Sequence, residues 1–127
     1  MAVKLLVDTD VLVDFLRGHK DAVDFIRTSS ERIVLSAVTV AELYAGVRDG
    51  MERRELDEFV ALFPVIAVQR DIAAAAGLYH REHSKSHGVG LADATVAATA
   101  RREKAGLRTL NVKHYPDVSD VEAPYSK

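Results

Sequence analysis

The chain has 127 residues, 48% of them hydrophobic and 28% charged, with a net charge of −2 and no cysteine. That length suits one domain over 1–127, burying about two-thirds of the surface its unfolded chain would expose. The composition excludes a disordered chain, and the missing cysteine excludes a disulfide framework and a thiolate zinc site, in keeping with a reducing cytoplasm.

The opening MAVKLLVDTD is no signal peptide, because Asp8 and Asp10 interrupt its apolar run. Residues 3–8 read instead as a short buried strand, and TDVLVDFLR, 9–17, as a helix stopped by Gly18. KDAVDFIRTS, 20–29, is a second amphipathic helix, and RIVLS, 32–36, a strand. VTVAELYAGVRD, 38–49, reads as a helix closed by Gly50, and MERRELDEFVALF, 51–63, as another that Pro64 ends. The longest apolar run, FVALFPVIAV at 59–68, is too short to span a bilayer, so no membrane is expected as partner. Within it VIAV, 65–68, is a strand. Then come a helix at 70–85, a break at 87–90, an Ala-rich helix at 91–105 stopped by Gly106, and a strand LRTLN at 107–111. An edge strand near 117–121 completes the list. Strands alternating with helices predict an α/β fold, a parallel sheet with helices on both faces.

Ligands of such sheets sit beyond the carboxyl ends of the strands. Asp8 closes the first strand there. Glu42 lies near the start of the helix that leaves the second strand. The Ala-rich helix runs antiparallel to LRTLN, so its first-turn Asp93 reaches the same edge, as does Asn111 at the end of that strand. Each acid alone has a plainer role: Asp8 as a helix cap, Thr39 and Glu42 as a capping box, Asp93 as a complement to the helix dipole. Capping does not explain why these helices should meet, and it leaves Asp10 and Asn111 unused. Gathered carboxylates repel one another unless a cation sits among them. Oxygen donors without cysteine suit Mg²⁺ or Mn²⁺, the ions of phosphoryl chemistry.

LLVDTDVLVDFL, LSAVTVAELYAGV, GLADATVAATA and TLNVKHY, in that order and spacing, resemble the successive signature blocks of PIN-domain ribonucleases, most closely the VapC toxins of toxin–antitoxin pairs. The resemblance runs from Val3 to Tyr115. It implies a three-layer α/β/α sandwich around the parallel sheet, Mg²⁺- or Mn²⁺-dependent endonucleolytic cleavage of RNA, a homodimer, and a cognate VapB-type antitoxin whose C-terminal segment covers the site. It implies metal-holding, catalytic roles for Asp8, Glu42 and Asp93, a catalytic place for Asn111, and supporting places for Thr9 and Asp10. Where many members carry a fourth acid this chain has His114, with Asp117 close by, which leaves one-metal and two-metal mechanisms both open. Arg101 and Lys113, in the basic stretch 101–114, are candidates to hold the RNA backbone. Helices 38–49 and 51–63 are candidate dimer elements.

Other signals are weaker. His80, His83 and His87 share a helix face but read as a polar, solvated helix end rather than a metal site, since the pattern is not H-E-x-x-H. A haloacid-dehalogenase-type phosphatase also ends a strand in Asp-x-Asp, yet would leave Glu42 and Asp93 idle. A catalytically weak or inactive PIN-fold binding module is the other rival, motivated by His114.

Overall fold

The computed structural model describes residues 3–127, so residues 1 and 2 of the 1–127 domain and of the opening MAVKLLVDTD lie outside the described residues. The strands are β1 (Leu5–Val7), β2 (Ile33–Ser36), β3 (Val65–Ile66), β4 (Gly106–Arg108) and β5 (Val121–Glu122). They form one sheet in the order β3-β2-β1-β4-β5. Every neighbouring pair is parallel.

Six α-helices connect them: α1 (Thr9–Leu16), α2 (Lys20–Ser29), α3 (Ala37–Ala45), α4 (Met51–Val60), α5 (Arg70–His87) and α6 (Leu91–Glu103). The alternation of side chains along a strand divides the core in two. Leu6, Val34 and Leu107 pack with Tyr79 of α5 and with Ala94, Val96, Ala97 and Ala100 of α6. Val7, Ile33 and Leu35 pack on the other face with Val11 and Leu12 of α1, Ile26 of α2, Leu43 of α3, and Leu56 and Phe59 of α4. The result is the expected three-layer α/β/α sandwich. In α6 every residue from Ala94 to Ala100 is buried, and its small side chains let the backbone lie close to both α5 and the sheet.

Boundaries shift where local hydrogen bonds outbid the apolar pattern. The strand expected to run through Asn111 stops at Arg108; the Thr109 amide still donates to Glu122 O at 3.1 Å, but the two amides after it are claimed by side chains. Leu110 N donates to Asp10 Oδ2 at 2.9 Å and Asn111 N to Thr109 Oγ1 at 3.0 Å. The edge strand lies at Val121–Glu122 rather than 117–121, because Asp117 turns left-handed at φ 60°. Helix α3 ends four residues early, at Ala45, with Gly46 as its cap. Helix α5 continues to His87, and Gly88 closes it at φ 64°.

Candidate active site

Asp8 is the N-cap of α1, and its two carboxylate oxygens divide the work. Oδ1 accepts from Thr9 N, the first amide of the helix, at 2.8 Å. Oδ2 accepts from the hydroxyls of Thr109 at 2.9 Å and Tyr115 at 2.7 Å. All of this lies in a pocket that leaves Asp8 only 6% exposed. The plainer role and the functional one therefore coexist on one side chain.

The Tyr115 hydroxyl also lies 3.2 Å from Asp93 Oδ1, so one phenol stands between the acid of β1 and the acid of α6. Burial first, then the negative charge of Asp8 and its hydrogen bond, push the Tyr115 hydroxyl far above the ordinary tyrosine range. It stays a neutral donor. His114 Nδ1 lies 3.5 Å from the other oxygen of Asp93.

Glu42 reaches the group differently. The capping box expected of Thr39 and Glu42 does not form: Ser36 caps α3, with Oγ accepting from Val38 N, and Thr39 is fully buried in the helix. Glu42 instead accepts the Thr9 hydroxyl at 2.6 Å on Oε1 and remains exposed. Asp8, Glu42 and Asp93 thus meet on one edge, Asp8 and Asp93 through the Tyr115 hydroxyl, Asp8 and Glu42 through the amide and hydroxyl of Thr9. Their donor atoms do not all close to within 4.8 Å of one another.

Asp10 lies behind them. Its Oδ1 accepts from Val11 N at 2.8 Å, and its Oδ2 gathers Leu110 N at 2.9 Å with Thr109 Oγ1 and Asn111 Nδ2 at 3.4 Å. Burial, then the neighbouring charge of Asp8, raises its pKa from 3.8 to about 6 despite these donors. Asp10 therefore fastens the β4 loop to the start of α1, and the amide of Asn111, expected among the catalytic groups, is turned to Asp10.

The remaining expected residues scatter. Lys113 is exposed in the 3-10 turn Val112–His114, on the rim of the acidic edge. Arg101 sits eight residues beyond Asp93 on α6, about 12 Å along the axis toward the opposite edge, where it lines a cleft with Lys104, Asp117 and Asp120. Asp117 is not beside the acids at all; its carboxylate lies 3.2 Å from His83 Nε2. The residues that sequence reasoning missed are Thr109 and Tyr115. Both fall inside the TLNVKHY block, but their role depends on contacts across about a hundred positions, which no local pattern carries.

The PIN domain family model matches residues 5–115. The chain belongs to the PIN-domain family. Among curated PIN relatives, the chain is similar to ribonuclease VapC10 of Mycobacterium tuberculosis, 38% identical over 96% of this chain and 93% of that protein. It is also 36% identical to ribonuclease VapC19 of the same organism, over 94% of this chain and 98% of that one. A solved toxin–antitoxin complex from Klebsiella pneumoniae contains a chain of the same PIN fold, with a TM-score of 0.85 at 24% identity over 98% of this chain and 100% of that one.

The donor set of this PIN domain suits a hard cation. Apart from His114 its near groups are oxygen donors, two carboxylates converge on one phenol, and burial with the charge of Asp8 raises the pKa of Asp10. Mg²⁺ in particular keeps several waters and asks for only one or two carboxylates, so an open cluster accommodates it. The same geometry disfavours the phosphatase reading, because the second acid of the Asp-x-Asp is consumed by backbone amides.

Proposed function

We propose that this chain is a metal-dependent endoribonuclease of the VapC type, one PIN domain acting as the toxin of a toxin–antitoxin pair. The observation that carries the reading is the convergence of Asp8 and Asp93 on the Tyr115 hydroxyl, with Glu42 linked to the same edge through Thr9. The kinship with ribonucleases VapC10 and VapC19 supports RNA as the substrate.

Asp8, Asp93 and Glu42 would hold Mg²⁺ or Mn²⁺, which supplies Lewis acidity to a phosphodiester and stabilises charge building on its oxygens. The protein's own groups do the rest. Tyr115 and Thr109, as neutral donors, fix the orientation of Asp8 without cancelling its charge. Thr9 occupies Oε1 of Glu42, leaving Oε2 to orient the attacking water and accept its proton. Asp10 and Asn111 hold the loop that carries Tyr115. His114, half-exposed beside Asp93, and Lys113 next to it stand where a phosphate backbone would pass, so binding should weaken steeply with salt. Arg101, near the far end of α6, lies away from that path.

A groove bordered by Val13, Leu16, Leu43, Val47 and Leu56 opens beside Glu42 between α1, α3 and α4, with Arg17, Glu55 and the Arg48–Glu52 ion pair on its walls. An antitoxin segment with apolar anchors would fit it. Met51 at the start of α4 and Leu62 just past its end, 67% and 73% exposed, support α4 as part of a homodimer surface. No helix among the described residues is long and apolar enough to cross a membrane, and the cysteine-free chain suits the reducing cytoplasm.

The test is cleavage of a mixed RNA pool by the purified chain with Mg²⁺, Mn²⁺ or EDTA. Wild type should cut with metal and not with EDTA, and Asp93→Asn should lose on the order of 10²-fold or more while keeping its circular dichroism. Cutting that survives EDTA, or that Asp93→Asn leaves intact, would sink the reading.

A further inference from the structure

Outside the acidic edge, one group of side chains has no task in the reading above. Among the described residues, Glu82, His83 and Asp117 form the one set of histidine and carboxylate groups whose donor atoms all lie within 4.8 Å of one another. We propose that Glu82, His83 and Asp117 are a second divalent-metal site, of zinc-like preference, that pins the loop after Tyr115 to the end of α5.

The histidine carries the inference. His83 was expected to sit on a solvated helix end, yet it is 6% exposed, and its Nε2 is buried and makes no hydrogen bond. That nitrogen nonetheless faces two carboxylates: Asp117 Oδ2 at 3.2 Å and Glu82 Oε2 at 3.9 Å. The 3.2 Å approach to Asp117 lies within ion-pair range but off the line a hydrogen bond requires, so the pair is close without being bonded. A buried polar atom of this kind is ordinarily satisfied. Two ligands 2.0–2.1 Å from a tetrahedral zinc stand about 3.4 Å apart, which the His83–Asp117 separation nearly matches. Glu82 needs only a small side-chain movement, and at 69% exposure it has room for one.

The donor chemistry differs from that of the active site. One imidazole with two carboxylates favours Zn²⁺, Co²⁺ or Ni²⁺ over Mg²⁺. Three protein ligands and a water would complete a four-coordinate ion. His87, whose ring meets His83 edge-on at 5.7 Å, is not counted, because its nitrogens do not come within 4.8 Å of all the other donors.

The placement gives the site a purpose. Asp117 follows Tyr115 by two residues, and Tyr79, one turn before His83, already donates to Pro116 O at 2.5 Å. The Tyr79 and His83 rings lie against each other, tilted by 54° with centroids 4.5 Å apart. An ion here would clip the loop on both sides of Pro116, and so hold the phenol that orients Asp8 and Asp93.

Co²⁺ is the probe, read by its visible absorption in a low-coordinate site and by displacement with Zn²⁺. Wild type and Asp93→Asn should each bind one such Co²⁺ per chain. The double variant Glu82→Gln, Asp117→Asn should bind it at least tenfold more weakly. Both changes are at exposed positions, and asparagine accepts the left-handed backbone of residue 117, so the fold should survive, as circular dichroism would check. No visible absorption in wild type, its persistence in the double variant, or its loss in Asp93→Asn would overturn the proposal. The absorption is read without RNA, so it stands or falls separately from the nuclease reading.

Discussion

Helix α1 carries two buried aspartates with opposite fates. Asp8 at its start and Asp14 near its end are each 6% exposed. Asp14 accepts the Tyr125 hydroxyl at 2.7 Å and the Lys127 ammonium at 2.9 Å. Burial pushes its pKa up, but those two hydrogen bonds, with the charges of Lys127 and His19, outweigh it and leave the value lowered. Asp8 has three partners, all of them neutral, to the two of Asp14, and its neighbours Asp10 and Asp93 are themselves acids. Hydrogen-bond satisfaction is thus no poorer at the start of the helix than at its end. The difference is a cation supplied by the chain at one end and not at the other, and under the proposed function that marks the structural carboxylate from the one that would hold a metal.

The largest way to break the comparison is Tyr115→Phe. It removes the phenol shared by Asp8 and Asp93 while keeping the buried ring, and groups that orient metal-holding carboxylates typically matter by roughly 10–100-fold. RNA cleavage should fall by that factor, with the helical circular dichroism unchanged. An unaltered rate would mean that Asp8 is positioned by Thr109 alone.

A second way uses pH. The folded chain holds a proton on Asp10 up to about pH 6, whereas an ordinary aspartate releases it near 3.8. Between those values the native state binds more protons than the unfolded one, so stability falls as pH rises through the window and is level above it. Asp10 is partly exposed, so the effect should be about 1–2 kcal/mol rather than the full shift. Urea unfolding of wild type against Asp10→Asn at pH 4 and pH 7 should show wild type losing ground to the variant by that amount. A difference independent of pH would put the charge tension elsewhere.

The smallest effect belongs to the structural end. Lys127→Met removes the cation from Asp14 but leaves Tyr125, and the lysine is half-exposed, so the loss should stay below about 1 kcal/mol. Cleavage should be untouched, which makes this variant the control for the other two.

Much of this was legible in the residues. The alternation of apolar strands with helices gave the strand order its parallel logic, and topology alone brought Asp8, Glu42 and Asp93 to one edge. What could not be read was how they are joined. Apolar patterning says that LRTLN is extended but not that Asp10 takes the amide of Leu110 and so ends the strand. Asp14 looks like any polar helix residue until the tail folds back over it. His83, at a spacing that suggested solvent, is buried because Tyr79 beside it is anchored to Pro116. In each case the deciding partner lies far along the chain, and the sequence names the residue without naming the neighbour.

The strand order has a last consequence, for the time at which the acidic edge is assembled. β1, made first, lies between β2, made early, and β4, made late. A ribosome that has released the first hundred residues has already produced all three acids. It has not yet produced β4, which holds the other side of β1, nor Thr109 and Tyr115, which aim Asp8. The parts that arm the centre are therefore the last to be translated, and a growing or prematurely ended chain carries its carboxylates unassembled among the RNAs of its own synthesis.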